Sequence, residues 1–318
     1  ILTKYDYDFP ANLIAQAPAT PRDSAQLLVY DKKTKKLSHD TFKNLANHLP
    51  KNSVLVFNQT KVIPARLEVT KPTGGKANLL YISHDATLVR VISDRKLHSN
   101  TPVYWSGKKL FTVVKQEGQF YFLKPSFPIK NIFKVLEKYG QTPLPPYIKH
   151  SPLKGKKLRD QYQTVFAKTL GSVAAPTASL HFTKSLIAKL KKAGIDSAFV
   201  TLHVGLGTFA TLTENQAKTG KLHSEYYNID KKVAKLLNKA KKDGKLIISV
   251  GTTVTRTLES ACDHNNQLTK LSRATDLFIH PPYKFKFIDG MITNFHVPKS
   301  SLMMLVASLV GRTKLLEI

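Results

Sequence analysis

The chain has 318 residues, 42% of them hydrophobic, which is enough for a large core in one big domain or two unequal ones. Lys and Arg number 49 against 21 Asp and Glu, so the formal net charge is +28. Such a charge opposes compaction unless an anionic partner relieves it, and it favours nucleic acid over a compositional bias toward Lys. A lone Cys262 excludes internal disulfides and Cys-rich metal sites, and no apolar run is long enough to span a membrane. We therefore expect a cytoplasmic protein that binds no membrane.

The first part of the chain alternates helix and strand patterns. Leu27–Tyr30 predicts a strand, and Asp40 is placed to cap a helix that runs toward Leu49. Ser53–Phe57 predicts a buried strand that ends in the polar loop Asn58–Lys61.

The sequence pattern changes between Val69 and His150. Short strand patterns alternate with Gly, Asn, Asp and Ser turns, which is typical of a small antiparallel sheet or barrel. A Pro-rich segment, Thr142–Ile148, closes this stretch. We predict an α/β protein with a mixed-sheet catalytic core formed by residues 1–68 and 151–318, and an inserted antiparallel β domain at residues 69–150.

Longer helix and strand units follow in the second half. The predicted elements are a helix Thr183–Ala193 closed by Gly194, a strand Asp196–Val204, a helix from Asp230 to Lys242, a strand Leu246–Val250, a helix Thr252–Cys262 and an apolar helix from Pro298 to Val310. The helix from Asp230 has an apolar stripe of Val233, Leu236, Leu237 and Ala240, and an opposite stripe of Lys231, Lys235, Lys239 and Lys242.

Five polar segments in this half contain His, Gly or hydroxyl residues in a pattern that a packed core does not need. They are Gly171–Phe182, Leu202–Phe209, Leu222–Tyr227, Val250–Thr253 and Ile292–Pro298. Loops of this composition are typical of ligand sites, so we predict that the five form one composite site.

Each motif also has an ordinary structural interpretation. Val250–Thr253 by itself favours a simple N-cap over a ligand site at a helix start, and Arg256 one turn later makes the two interpretations about equal. Gly205 and Gly207 match no phosphate loop and suggest a tight turn. Glu225 suits a general base, a ribose contact or a salt bridge. The histidines match no zinc spacing, so no metal site is expected.

Motifs along the whole chain identify a resemblance. It rests on Tyr5–Pro10, Leu13–Pro18, Arg22–Ser24, Asn58–Leu67, Pro143–Ile148, Tyr162–Ala167, Ser172–Ala178, His203–Phe209, His223–Glu225, Gly251–Thr253, Thr275–Ile279 and Asp289–Ser300. The chain resembles the S-adenosylmethionine:tRNA ribosyltransferase-isomerases of queuosine biosynthesis. Ser179 departs from that family's pattern, which has Gly at this point.

The resemblance implies a mixed α/β core with an inserted β-barrel. It also implies transfer and isomerisation of the ribosyl part of S-adenosylmethionine onto 7-aminomethyl-7-deazaguanine at the tRNA wobble position, with epoxyqueuosine-tRNA, adenine and methionine as products. S-adenosylmethionine is then a co-substrate, and no prosthetic group or metal is expected. We expect a monomer whose partner is a tRNA with a deazaguanine-modified anticodon.

Combining the resemblance with the motifs gives three sets of candidate residues. For catalysis they are His181, His203, Glu225 and His296. For S-adenosylmethionine they are Thr177, Gly205, Gly207, Thr208, Thr252, Thr253, Arg256 and Asn294. For tRNA they are Lys61, Arg66, Lys154, Lys156, Lys157, Lys231, Lys235 and Lys239. The alternatives are a non-catalytic tRNA-binding relative and an ordinary methyltransferase, although the glycine-rich loop of the latter is not evident.

Overall fold

The computed structural model describes residues 2–205, 212, 216 and 219–318. The chain first forms a hairpin of β1 (Gln26–Tyr30) and β2 (Leu37–Thr41), then a 3-10 helix at Phe42–Asn47, then strands β3 (Ser53–Asn58) and β4 (Thr60–Val62). Every residue of β3 is buried, as its continuous apolar pattern predicts for a central strand.

The helix that Asp40 was expected to start is instead a strand followed by a 3-10 helix. Asp40 lies in β2 and pairs with Leu27 across the hairpin. Its carboxylate still organises the following turn, because it accepts hydrogen bonds from the Thr41 amide at 2.6 Å and the Asn44 side chain at 2.8 Å. The bond with His48 and these two bonds lower the pKa of Asp40 to about 2.

The predicted antiparallel barrel is confirmed. Its six strands are β5 (Arg66–Thr70), β6 (Lys76–His84), β7 (Val89–Ser93), β8 (Pro102–Trp105), β9 (Lys108–Glu117) and β10 (Phe120–Pro125). They close in the order β10-β7-β6-β5-β8-β9, which leaves no open edge. Because β5 begins at Arg66, the barrel starts before residue 69. That residues 69–150 form a separate domain stays a prediction.

The remaining elements follow in chain order. They are α1 (Ile132–Tyr139), α2 (Gly155–Gln161), β11 (Thr169–Ser172), α3 (Lys184–Lys192), β12 (Asp196–Leu202), β13 (Lys221–Asn228), α4 (Lys231–Lys242), β14 (Leu246–Val250), α5 (Thr252–Ala261), β15 (Ser272–Leu277), β16 (Gly290–Ile292), α6 (Ser301–Val310) and α7 (Arg312–Glu317). Among the described helices, none is both long and apolar enough to cross a membrane.

The core is a mixed six-stranded sheet between two layers of helices. Its order is β15-β13-β12-β3-β14-β16, and the four strands β12, β3, β14 and β16 run parallel. Alternate residues of β3 face opposite layers: Val54 and Val56 pack with α4 and α5, whereas Leu55 and Phe57 pack with α3 and the 3-10 helix at Phe42–Asn47. All four parallel strands therefore end at one edge of the sheet.

Three details of the second half differ from the sequence-based expectations. Leu222–Tyr227, expected as a loop, lies in β13, because alternate side chains such as Glu225 and Tyr227 are buried against the sheet. In α4, Leu236 is 50% exposed and Ala234 is buried in its place. The apolar helix begins at Ser301 and not at Pro298, because the Ser300 side chain caps it.

The start of the first barrel strand is held to the segment after α1 by a close backbone contact. Arg66 and Gln141 exchange two main-chain hydrogen bonds, at 3.1 and 2.7 Å. At the neighbouring Gly140, an added Cβ would lie 1.9 Å from the Pro64 carbonyl oxygen and 2.5 Å from that of Leu136. Only glycine fits this joint without a backbone shift.

We predict that Gly140→Ala lowers the free energy of unfolding by about 1–3 kcal/mol, because the new methyl group must displace main-chain atoms. Urea unfolding measures this. The matched control is Gly75→Ala, where the nearest atom to the new Cβ is the flexible Lys71 Cε at 3.1 Å. Equal stability of the two variants would show that the joint is not tightly packed.

Candidate active site

Described parts of three predicted site segments follow the carboxyl ends of parallel strands. β3 ends at Asn58, β12 leads into His203, β14 leads into Gly251 and β16 leads into Thr293. In the sheet, β3 and β14 are neighbours. The chain goes from β3 to β12 on one side of this pair, and from β14 to β16 on the other side. Strands whose connections leave in opposite directions open a crevice at their carboxyl ends, and in α/β sheets ligands bind there.

The buried amide of Asn58 links the strands at this crevice. Its Nδ2 donates to the Leu202 carbonyl at 2.9 Å and to Thr253 Oγ1 at 3.3 Å. Its Oδ1 accepts from the amides of Leu202 at 3.2 Å and Thr60 at 3.1 Å. In the sequence, Asn58 stands out only as part of the polar loop Asn58–Lys61. Its position directly after a buried strand was the available signal.

The junction of β14 and α5 is the strand-to-helix turn that the sequence predicts. Gly251 has a φ of +93°, a conformation that side-chain-bearing residues rarely adopt. The 3-10 helix Thr177–His181 packs beside it, because a Cβ at Gly251 would lie 4.0 Å from that of Ala178. Thr252 and Thr253 are half-buried at the start of α5, where amide groups are open to a ligand.

The same 3-10 helix contains an unpaired polar group. The side chain of Ser179 is fully buried, and its Oγ has no hydrogen-bond partner among the described residues. Thr177 begins this short helix and is half-buried. A buried hydroxyl without a partner is costly, and a ligand atom that bonded to it would remove the cost.

Two of the candidate histidines lie on or beside the loop after β16. His181 Nε2 is 2.8 Å from Asn294 Oδ1, and His296 Nε2 is 3.0 Å from Thr293 Oγ1. Burial lowers the pKa of His181 below its usual value, and the charge of Arg22 acts in the same direction. Burial lowers the pKa of His296 to about 4. Both imidazoles are therefore neutral near pH 7.

The third histidine, His203, lies at the end of β12. Its Nδ1 is 2.9 Å from Thr60 Oγ1, and burial lowers its pKa as well. Its ring packs over Gly171, where an added Cβ would approach ring atoms to 2.9 Å and where φ is +142°. The glycine at the start of the predicted Gly171–Phe182 segment is therefore required by the position of this ring.

Glu225 and Arg256 bind each other. They form a buried ion pair in which the side chains are 3% and 8% exposed. The second carboxylate oxygen accepts the Gly205 amide at 2.9 Å, and Arg256 also donates to the carbonyls of Leu277 at 3.1 Å and Thr275 at 3.4 Å. The predicted roles in proton transfer and ligand contact stay predictions, and this geometry favours a positioning role for both residues.

The basic candidates fall into two groups, all of them exposed. We call the first the basic seam: Lys61, Arg66, Lys154, Lys156 and Lys157. Its residues lie on or near β4, α2 and the start of β5, where Gln163 bonds to both main-chain groups of Val62 and Arg159 of α2 donates to the Gly140 carbonyl at 3.0 Å.

The second group lies on α4 and consists of Lys231, Lys235 and Lys239. Lys239 is paired with Asp243 at 2.8 Å, so part of its charge is already balanced within the protein. Among the other candidates, the Gly205 amide contacts Glu225. Gly207 and Thr208 lie outside the residues that the structure describes.

Comparison with known proteins agrees with this architecture. A family model for queuosine biosynthesis proteins matches residues 2–318. The S-adenosylmethionine:tRNA ribosyltransferase-isomerase of Carboxydothermus hydrogenoformans is 44% identical, over 99% of this chain and 93% of its own length. The enzyme of the same name from Thermoanaerobacter sp. is 40% identical with the same coverage.

A solved structure is similar over the same extent. The crystal structure of S-adenosylmethionine tRNA ribosyltransferase from Thermotoga maritima matches with a TM-score of 0.54 and 29% identity, covering 99% of this chain and 92% of that one. The full-length family match and these relatives show that the chain belongs to the queuosine biosynthesis protein family and is an enzyme of the transferase class.

Proposed function

We propose that this enzyme transfers the ribosyl moiety of S-adenosylmethionine to 7-aminomethyl-7-deazaguanine at the tRNA wobble position and isomerises it, with epoxyqueuosine-tRNA, adenine and methionine as products. The observation that carries the proposal is the grouping of His181, His203 and His296 around the ends of the parallel strands. Each has its own hydroxyl or amide partner. The names of the relatives include S-adenosylmethionine and tRNA, whereas the deazaguanine base and the products are what the family resemblance implies.

The chemistry requires a base, a donor for the leaving adenine and a pocket for an extruded base. The sulfonium of S-adenosylmethionine acidifies the adjacent C5′–H bond, so a neutral imidazole is a sufficient base. Burial keeps the three imidazoles neutral near pH 7, which is the form that accepts a proton. Their hydrogen-bond partners fix the ring orientations.

We expect the co-substrate to bind the polar groups that surround the crevice. Thr177, Thr252, Thr253 and Asn294 present hydroxyl and amide groups suited to the ribose and to the methionine carboxylate. The unpaired hydroxyl of Ser179 gives a buried hydrogen-bonding group in the same helix as Thr177. Gly205 helps by fixing the Glu225 carboxylate through its amide.

Replacement of the proton-transferring histidine by glutamine is expected to slow adenine release by about 10²–10⁴-fold, because glutamine cannot accept a proton near pH 7. The assay measures free adenine formed by His181→Gln, His203→Gln and His296→Gln from S-adenosylmethionine and precursor tRNA. In the parent, the pKa values of these imidazoles lie below the usual value of about 6.5. The rate of adenine release should therefore fall only below about pH 6.5, where the imidazoles become protonated and can no longer accept a proton.

The control is His84→Gln, a barrel histidine whose Nδ1 is 2.7 Å from the Tyr81 hydroxyl. Its rate should equal that of the parent. If all three site variants also turn over within a few-fold of the parent, the proposed site is misplaced.

Glu225→Gln is expected to act on stability first. Removing one partner of a buried ion pair leaves the other charge unpaired, which typically costs about 3–5 kcal/mol of unfolding free energy. The double variant Glu225→Gln/Arg256→Gln should recover part of this loss, as urea unfolding would show. Unchanged stability with lost adenine release would instead support direct proton transfer by Glu225.

The affinity for tRNA should fall steeply with salt, because lysines and arginines that neutralise phosphates release counterions. Replacing Lys156 and Lys157 of the basic seam by Gln should weaken binding and reduce the salt slope by about 1 for each phosphate that is no longer neutralised. Lys239→Gln on α4 should have a smaller effect, because Lys239 is paired with Asp243. An affinity that does not change with salt would contradict the electrostatic account.

A further inference from the structure

A large aromatic side chain is exposed beside the candidate active site. Phe295 is 71% exposed, and it lies between Asn294 and His296, which both belong to the site. In the described part of the chain no other aromatic ring packs against it. The apolar face of Phe295 is therefore open to a binding partner.

The exposure of Phe295 is imposed by its neighbours on both sides. Asn294 is fixed by its hydrogen bond with His181 at 2.8 Å. The carbonyl of His296 accepts the Tyr7 hydroxyl at 2.5 Å, and the imidazole of His296 contacts Thr293. Further along, the Lys299 amide donates to the Tyr5 carbonyl at 3.0 Å. The main chain is thus held in place while the ring points outward, which is the preorganisation that a binding contact needs.

The charge of the protein and the nature of its substrate indicate what covers this ring. A chain with a formal charge of +28 attracts RNA, and the relatives modify tRNA. Proteins recognise unpaired RNA bases mainly by stacking them on exposed aromatic rings. Such a stack is tolerant of base identity and strengthens binding by roughly 5- to 150-fold.

We propose that Phe295 is a stacking platform for an unpaired tRNA base adjacent to the nucleotide that enters the active site. This inference rests on the proposed function, because it assumes that the anticodon loop reaches the carboxyl edge of the sheet. Phe295 is a positioning residue: it holds the RNA loop in register, and the reacting atoms lie beyond it, at the histidines.

An anticodon stem-loop RNA with 2-aminopurine beside the wobble position tests the proposal without any turnover. Stacking on an aromatic ring quenches the fluorescence of 2-aminopurine. We expect quenching by the full-length parent and by Phe295→Trp. Phe295→Leu and Phe295→Ala should abolish the quenching, and Phe295→Ala should bind the RNA roughly 5- to 150-fold more weakly. The matched control is Leu236→Ala on α4, which removes a 50% exposed apolar side chain and should behave as the parent.

The outcomes separate this proposal from the proposed function. Quenching and affinity that are unchanged in Phe295→Ala would overturn the stacking role, even if the parent releases adenine normally. A similar loss of quenching and affinity in Leu236→Ala would also overturn the stacking role, because any exposed apolar side chain would then have this effect. A parent that quenches through Phe295 but releases no adenine would support the stacking platform and refute the proposed reaction.

Discussion

The site depends on the hydrogen bonds of one buried amide. Asn58 ends the central strand and joins it to the end of β12 and to the first turn of α5 through its side-chain hydrogen bonds. Parallel strands diverge where their ladder ends, which leaves main-chain groups without partners in a buried place. The Asn58 side chain satisfies those of Leu202 and at the same time fixes Thr253. The end of β12, which leads into His203, and the start of α5 are therefore attached to a rigid edge.

Burial then sets the chemistry of that edge. Removing the imidazoles from water disfavours their charged form and keeps them neutral, although the chain as a whole is strongly basic. Glu225 and Arg256 show the complementary arrangement, in which two buried charges are kept because they neutralise each other. The lysines and the arginine that are predicted to contact tRNA are, in contrast, all exposed.

The sequence predicts the elements of this fold better than it predicts the contacts between them. Continuous apolar runs such as Ser53–Phe57 identify central strands, because few other patterns are buried on both faces. The pattern of Lys221–Asn228 does not indicate a strand, because polar and charged side chains occupy much of it. Only the pairing of this segment with its neighbours in the sheet shows how these side chains are accommodated. The pairing of Glu225 with Arg256 joins residues far apart in the chain, which periodicity cannot detect. That the His-bearing segments form one site stays a prediction, as do the roles of single residues.

The proposed reaction uses the ribosyl part of S-adenosylmethionine and not its methyl group. Incubating precursor tRNA with S-adenosylmethionine labelled either in the ribose or in the methyl group, and following the label, distinguishes the two. We expect ribose label to enter the tRNA together with release of free adenine, and methyl label to leave in methionine. Transfer of the methyl label to tRNA, with the ribose label left in S-adenosylhomocysteine, would contradict the proposed reaction.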